Sequence, residues 1–183
     1  AKPVGSAKWL AEELGVPVVN AGDGTHEHPT QGLLDLLTLR DALGELKGRT
    51  VAIVGDVRHS RVARSASAGL RVLGAHVLIA GPRTLTDSGL GEVHDDLDTV
   101  LPRADAVMML RIQRERMSPG LIGTEASYRA RWGLTTERLS TMKPGAVVLH
   151  PAPMNRGVEI DSAVADGPRS VIFPQMANGV AVR

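Results

Sequence analysis

The sequence predicts an α/β protein: an open, doubly wound parallel sheet with flanking helices, joined to the end of a second, similar domain. Continuous apolar runs recur at Thr50-Val-Ala-Ile-Val54, at His76-Val-Leu-Ile-Ala80, and at residues 105–110 and 145–149. Unbroken rather than alternating runs are the pattern of parallel strands buried on both faces. Stretches with helical spacing separate them, as βαβ units require. The chemically conspicuous residues fall just beyond the ends of apolar runs, at 20–31, 55–61, 111–115 and 150–153. Ligands of open parallel sheets sit at that carboxyl edge.

Taken in order, residues 6–14 have helical spacing and end at Gly15, a C-terminal cap. Val16-Pro-Val-Val19 reads as a short buried strand. A glycine-rich turn then leads through His28-Pro-Thr-Gln31 into a leucine-dense helix ending near Gly44. Pro29 suits the first helical turn, where its missing N–H costs nothing. Residues 46–49 form a turn, and a domain junction is placed there. The strand at 50–54 runs into Gly55-Asp56, a helix spans 62–73 with Gly74 as its cap, and a second strand covers 76–80. A short helix at 97–101 precedes a third strand at 105–110. The polar segment 111–116 follows, then short helices at 128–133 and 135–142. A fourth strand at 145–149 runs into His150-Pro-Ala-Pro153, and residues 174–183 open another helix. There is no internal repeat.

Composition narrows the functional classes. The 183 residues suffice for one domain, or one with part of another. A hydrophobic fraction of 43% supports a packed core. Trp9, Tyr128, Trp132 and Phe173 are the only aromatic side chains, too few for a base-stacking platform. The net charge of +1 argues against bulk-charge binding to nucleic acid or a membrane surface. The absence of cysteine removes disulfides, thiolate metal sites and a cysteine nucleophile, and fits a reducing cytoplasm. No run is long enough to cross a membrane, and no signal-peptide pattern opens the sequence. The sequence opens Ala1-Lys2-Pro3 without Met, so a longer parent chain is expected.

Four clusters carry candidate chemistry. His28 and Gln31 share one face of a first helical turn. Together they offer a donor to a carbonyl oxygen and an amide to a small planar group. The exposed amides of that turn favour an anionic or carbonyl-bearing ligand. A capped helix with polar surface side chains would look the same. In Gly55-Asp56-Val57-Arg58-His59-Ser60-Arg61 the dinucleotide fingerprint G-x-G-x-x-G is absent. Arg61 could clamp a carboxylate bidentately, or be a surface arginine paired with Asp56. Arg111 and Gln113 point the same way if the chain stays extended, and Glu115 would hold Arg111 in place. A solvated charge run opening a helix is the plainer reading. In the fourth cluster, His150-Pro-Ala-Pro153, two prolines fix the backbone and so the directions of its carbonyls, which could accept from an amide N–H; a rigid loop with a satisfied core histidine at His150 is the plainer reading. His26, His59, His76 and His94 lack ligand spacing with one another or with acidic partners, so no metal is assigned. No serine sits in a nucleophile elbow.

These four motifs, in this order and spacing over residues 17–183, resemble the catalytic chains of the aspartate carbamoyltransferase family. The ornithine-specific relatives share the fold but carry His-Cys-Leu-Pro at the fourth motif. Ala152 and the arginine-rich edge at Arg111 favour an aspartate-type acceptor. The resemblance implies transfer of the carbamoyl group of carbamoyl phosphate to L-aspartate, in pyrimidine biosynthesis in the cytoplasm, with no metal or organic cofactor. It assigns His28 to polarising the carbamoyl carbonyl. Gln31 holds the carbamoyl group with it, the carbonyls of Ala152 and Pro153 take the carbamoyl N–H groups, and Arg61 and Arg111 take the aspartate carboxylates with Gln113 nearby. Asp56 and Glu115 support them.

It also implies a division into 1–43, the end of a carbamoyl-phosphate-binding domain; 44–173, an aspartate-binding domain; and 174–183, a helix returning to the first. The family's Ser-x-Arg-Thr phosphate motif and its intersubunit lysine loop are not in this sequence. A homotrimer is therefore expected only of a longer chain, with regulatory chains left open, and this chain alone is expected to be a poor catalyst at best. Alternatives are a non-catalytic module of the same fold, a carbamoyltransferase for another acceptor such as ornithine, and a nucleotide-binding domain, against which the missing fingerprint counts.

Overall fold

The computed structural model describes residues 3–112 and 123–183. Its centre is a five-stranded sheet: β1 (Thr50–Val54), β2 (His76–Ala80), β3 (Glu92–His94), β4 (Ala106–Met109) and β5 (Val147–Leu149). All neighbours are parallel, in the order β3-β2-β1-β4-β5. Val51 is level with Val77 on one side and Ala106 on the other. The chain therefore winds outward from β1 through β2 to β3, then returns to lay β4 on the other side of β1. The crevice between the β1 and β4 carboxyl ends is the switch point where such sheets bind ligands.

The apolar runs form strands because both faces are covered. Ala52, Val54, Leu78, Val107 and Met109 face a core completed by Tyr128 and Trp132. Val51, Ile53, Val77, Ile79 and Met108 face another completed by Leu39 and Leu70. The described residues form eight α-helices: α1 (Ser6–Leu14), α2 (Pro29–Leu43), α3 (Arg61–Val72), α4 (Leu97–Val100), α5 (Glu125–Trp132), α6 (Thr136–Thr141), α7 (Ser162–Ala165) and α8 (Ile172–Val182). Gly15 closes α1 in the left-handed region.

Several expectations need correction. Val16–Val19 is not a strand. Val16 and Val19 are 52% and 69% exposed, and among the described residues no strand lies alongside to pair with them. β3 was not foreseen, because Glu92-Val93-His94 has no apolar run and owes its strand geometry to pairing with β2. The segment after α4 tightens into a 3₁₀ turn, Leu101–Arg103. α5 starts three residues earlier than its apolar spacing implies. Thr124 and Ser127 cap its first turn reciprocally, which the apolar pattern does not reveal. α7, four residues long, was also missed.

Two contacts set how α2 and α3 cross. A Cβ on Gly32 would lie 2.9 Å from Ser65 Cβ, and one on Gly69 would lie 2.4 Å from Leu36 Cδ1. At residue 32, where the Ser65 backbone also lies within 3.2 Å, only glycine permits this approach, which brings the two helix N-termini to the same rim. α8 packs on α2, where Asn178 Nδ2 donates to Thr38 Oγ1 at 3.0 Å.

Candidate active site

A cleft of about 380 Å³ opens over the switch point. His28, Gln31, Arg61, Arg111, Ala152 and Pro153, six of the residues singled out from the sequence, line it together, as do Asp56 and His59. Gln113 and Glu115 lie outside the described residues.

The rim from α2 is built from Asp23 upward. This buried carboxylate accepts from the backbone N–H of Gly5 and Glu27 and from the side chains of His26 and Asn20. Burial pushes its carboxyl up, but the bonds from Gly5, His26, Asn20 and Glu27 outweigh that and hold it well below the usual carboxylate range. The turn so fixed delivers His28 to the N-cap of α2, with Pro29 behind it. The His28 N–H donates to Ser65 Oγ of α3 at 2.9 Å.

Loss of solvation, then the nearby guanidinium groups of Arg61 and Arg183, push the His28 ring down to about 4. The ring is therefore neutral at pH 7. Arg183 Nε lies 3.4 Å from Thr30 Oγ1, which lies 3.4 Å from His28 Nδ1. The Nε2–H tautomer, in which the Thr30 hydroxyl donates to Nδ1 while accepting from the arginine, leaves an Nε2–H to donate to a ligand oxygen.

The rim from β1 starts with Ser60, whose side chain accepts from the Ala63 N–H and caps α3. Arg61, the first residue of α3, then projects over the cleft against the Gly22 backbone. Among the described residues no carboxylate lies within ion-pair distance of Arg61. The suggested Arg61–Asp56 pair does not form. Asp56 instead accepts from the ring of His59 at 2.9 Å and from its N–H at 3.3 Å. The His59–Asp56 contact corrects the view that the histidines lack acidic partners, since residues three apart meet in this turn. His26 likewise meets Asp23 at 3.1 Å. Neither pair gains a third ligand: no group of three His, Cys, Asp or Glu able to hold a metal exists among the described residues.

The floor comes from β4 and β5. Arg111 follows β4 by two residues. Asn155 Nδ2 donates to the Ile112 carbonyl at 3.0 Å, tying this edge to the segment after β5. His150 is fully buried, as the plainer reading held. Its Nδ1 accepts from the Ala152 N–H at 3.0 Å, so the proton sits on Nε2, which faces Glu159 Oε1 at 3.3 Å. Ala152 adopts a positive φ of 48° and precedes a cis peptide to Pro153. Neither Arg183 nor Gln175 was foreseen here. Gln175 lies on α8 and Arg183 caps its C-terminus, far along the chain, and no local pattern marks them.

Fold and cleft define an α/β protein with a polar cleft at the switch point of a parallel sheet, furnished with two arginines and a neutral imidazole. The family profile of "Aspartate/ornithine carbamoyltransferase, Asp/Orn binding domain" matches residues 47–183, and that of the "carbamoyl-P binding domain" matches residues 2–41. The chain belongs to the aspartate/ornithine carbamoyltransferase family. It is 55% identical over 98% of its length to the aspartate carbamoyltransferase catalytic subunit of Gemmatimonas aurantiaca, of which it covers 57%. It is equally identical to that of Myxococcus xanthus, of which it covers 62%. The chain thus spans less than two thirds of the length of these relatives.

Among solved structures it is similar to ornithine carbamoyltransferase from Thermus thermophilus, with a TM-score of 0.85 and 29% identity, covering all of this chain and 61% of that one. It is also similar to aspartate transcarbamoylase from Trypanosoma cruzi in complex with N-(phosphonacetyl)-L-aspartic acid. There the TM-score is 0.80 and the identity 29%, over 96% of this chain and 60% of that one.

Proposed function

We propose that this chain provides the acceptor-binding side of an aspartate carbamoyltransferase. The amine of L-aspartate attacks the carbonyl carbon of carbamoyl phosphate, the C–O bond to phosphate breaks, and N-carbamoyl-L-aspartate and phosphate leave, in pyrimidine biosynthesis. The observation that carries this reading is the convergence of His28, Arg61 and Arg111 on one cleft. Neutral His28 donates from Nε2 to the carbamoyl oxygen and stabilises the charge that develops there. Gln31 and the carbonyls of Ala152 and Pro153 take the carbamoyl N–H groups. Arg61 and Arg111 take the two carboxylates, with Gln113 beside them, and Asp56 and Glu115 support the edge. Much of the rate comes from holding both reactants in contact.

Residues 1–43 belong with carbamoyl-phosphate binding, 44–173 form the aspartate-binding domain, and 174–183 return to the first. The working enzyme is a cytoplasmic homotrimer of longer chains. Aspartate is favoured over ornithine by the names of the 52–55% identical relatives. Titration calorimetry of the full chain with N-(phosphonacetyl)-L-aspartate and with its ornithine counterpart tests the reading. Preference for the aspartate analogue, lost in Arg61→Ala, is expected. Preference for the ornithine analogue, or no binding, would overturn it.

A further inference from the structure

We propose that Asp35 is a positioning residue: one of its carboxylate oxygens sets the side-chain amide of Gln31 and, through Gln175, the backbone entering the His150–Pro153 loop. The inference rests on reading the cleft as a carbamoyl site. Asp35 touches no ligand. It lies fully buried on α2, one turn after Gln31. Its Oδ1 accepts from Gln31 Nε2 at 2.8 Å and from Gln175 Nε2, on α8, at 2.7 Å. A carboxylate oxygen facing two amides selects the same end of each, because only Nε2 can donate.

Each glutamine therefore turns its Oε1 away from Asp35. For Gln175 the destination is visible: Oε1 accepts from the His150 N–H at 3.0 Å. Gln31 lines the cleft, so its oxygen is left for a ligand N–H. With the amide reversed, Gln31 would present N–H to N–H. The two arms of the device then agree. On one side Gln31 offers an oxygen, and on the other Gln175 anchors the strand end that carries the Ala152 and Pro153 carbonyls.

A purely structural role explains the residue poorly. Burying a carboxyl group is unfavourable, and Asp35 Oδ2 has no hydrogen-bond partner among the described residues. A leucine would fill the space between α2 and α8 without that cost. What leucine cannot do is choose an amide orientation.

The test compares Asp35→Asn, which keeps an acceptor oxygen in place, with Asp35→Leu, which removes it in a larger apolar side chain of the same branching. The ligands are N-carbamoyl-L-aspartate, which has the carbamoyl group, and succinate, which has only the two carboxylates. In the full chain, Asp35→Asn should bind both within about threefold of wild type. Asp35→Leu should lose about tenfold or more for carbamoyl aspartate with succinate unchanged, as expected for one misplaced hydrogen-bonding group. In ¹⁵N spectra the Gln31 and Gln175 side-chain amide protons should be protected from exchange in wild type and Asp35→Asn, and exposed in Asp35→Leu.

Equal losses for both ligands, or none for either, would overturn the positioning role. If Asp35→Leu does not fold, Gln175→Leu reports the same split, and its absence there overturns the proposal. A wild-type chain that fails to distinguish the two ligands would instead overturn the carbamoyl reading beneath it.

Discussion

The Arg61 guanidinium rests on the backbone of Gly22: a Cβ at residue 22 would stand 2.5 Å from Arg61 Cζ and 2.7 Å from Nη1. Gly22 also has a φ of 117°, a conformation that side-chain-bearing residues rarely adopt. The turn before α2 therefore acts as the seat for the cation at the start of α3. Gly22→Ala should dislodge Arg61 without altering any group that touches ligand. The expected result is a loss of succinate affinity of about tenfold, approaching that of Arg61→Ala, since a displaced charge pairs poorly. Wild-type affinity by calorimetry would show that Arg61 does not anchor a carboxylate.

His28 and Asp35 should tilt the stability profile in opposite directions. The His28 ring titrates near 4 when folded and near 6.5 ordinarily. Between those values the unfolded chain holds the extra proton, so stability is lost as pH falls from 6.5 towards 4. Burial raises the Asp35 carboxyl to about 7 against an ordinary 3.8, despite the bonds from Gln175 and Gln31. Here the folded chain holds the extra proton, and stability is lost as pH rises from 3.8 through 7. Urea unfolding at pH 4.5, 5.5 and 7.5 should show His28→Ala losing the first limb and Asp35→Asn the second. Unchanged profiles would place both groups in more solvated settings.

In steady-state assays His28→Ala should lower kcat by about 10² to 10³, the usual scale for one oxyanion donor, with little change in the KM for aspartate. A loss confined to KM would make His28 a binding group only.

How much of this was legible follows the range of the interactions. β1, β2 and β4 announced themselves because a strand buried on both faces needs an unbroken apolar run. α1, α2 and α3 were marked by local signals at Gly15, Pro29 and Gly74. Three of the four clusters pointed to one rim because a parallel sheet puts all its strand ends on one side; the first follows no strand and reaches that rim through the N-terminus of α2. What stayed hidden depended on partners distant in sequence. Val16–Val19 has strand-forming residues but no partner, and β3 has a partner without the residues. Asp35 reads as one polar interruption in a leucine-rich helix, and its partner Gln175 lies 140 residues away. Gln113 and Glu115, named from the sequence, lie outside the described residues.

Beneath the switch point, Tyr128 offers a test of the core. Its side chain is 1% exposed, and its hydroxyl has no hydrogen-bond partner among the described residues. A Cβ on Gly55, at the end of β1, would stand 3.3 Å from that oxygen, so the hydroxyl sits directly under the turn that begins the cleft. Burial, then the carboxylates of Glu159 and Asp56, push the phenol far above its ordinary value, keeping it neutral. An unpaired buried hydroxyl costs about 1–3 kcal/mol in desolvation. Tyr128→Phe deletes only that oxygen and should leave stability equal to wild type or about 1 kcal/mol higher, with succinate affinity unchanged. Tyr128→Leu removes most of the ring and should cost about 2–4 kcal/mol through the cavity left against Trp132 and Val54. A Phe variant as unstable as the Leu variant would mean that the oxygen, not the ring, holds the floor of the cleft.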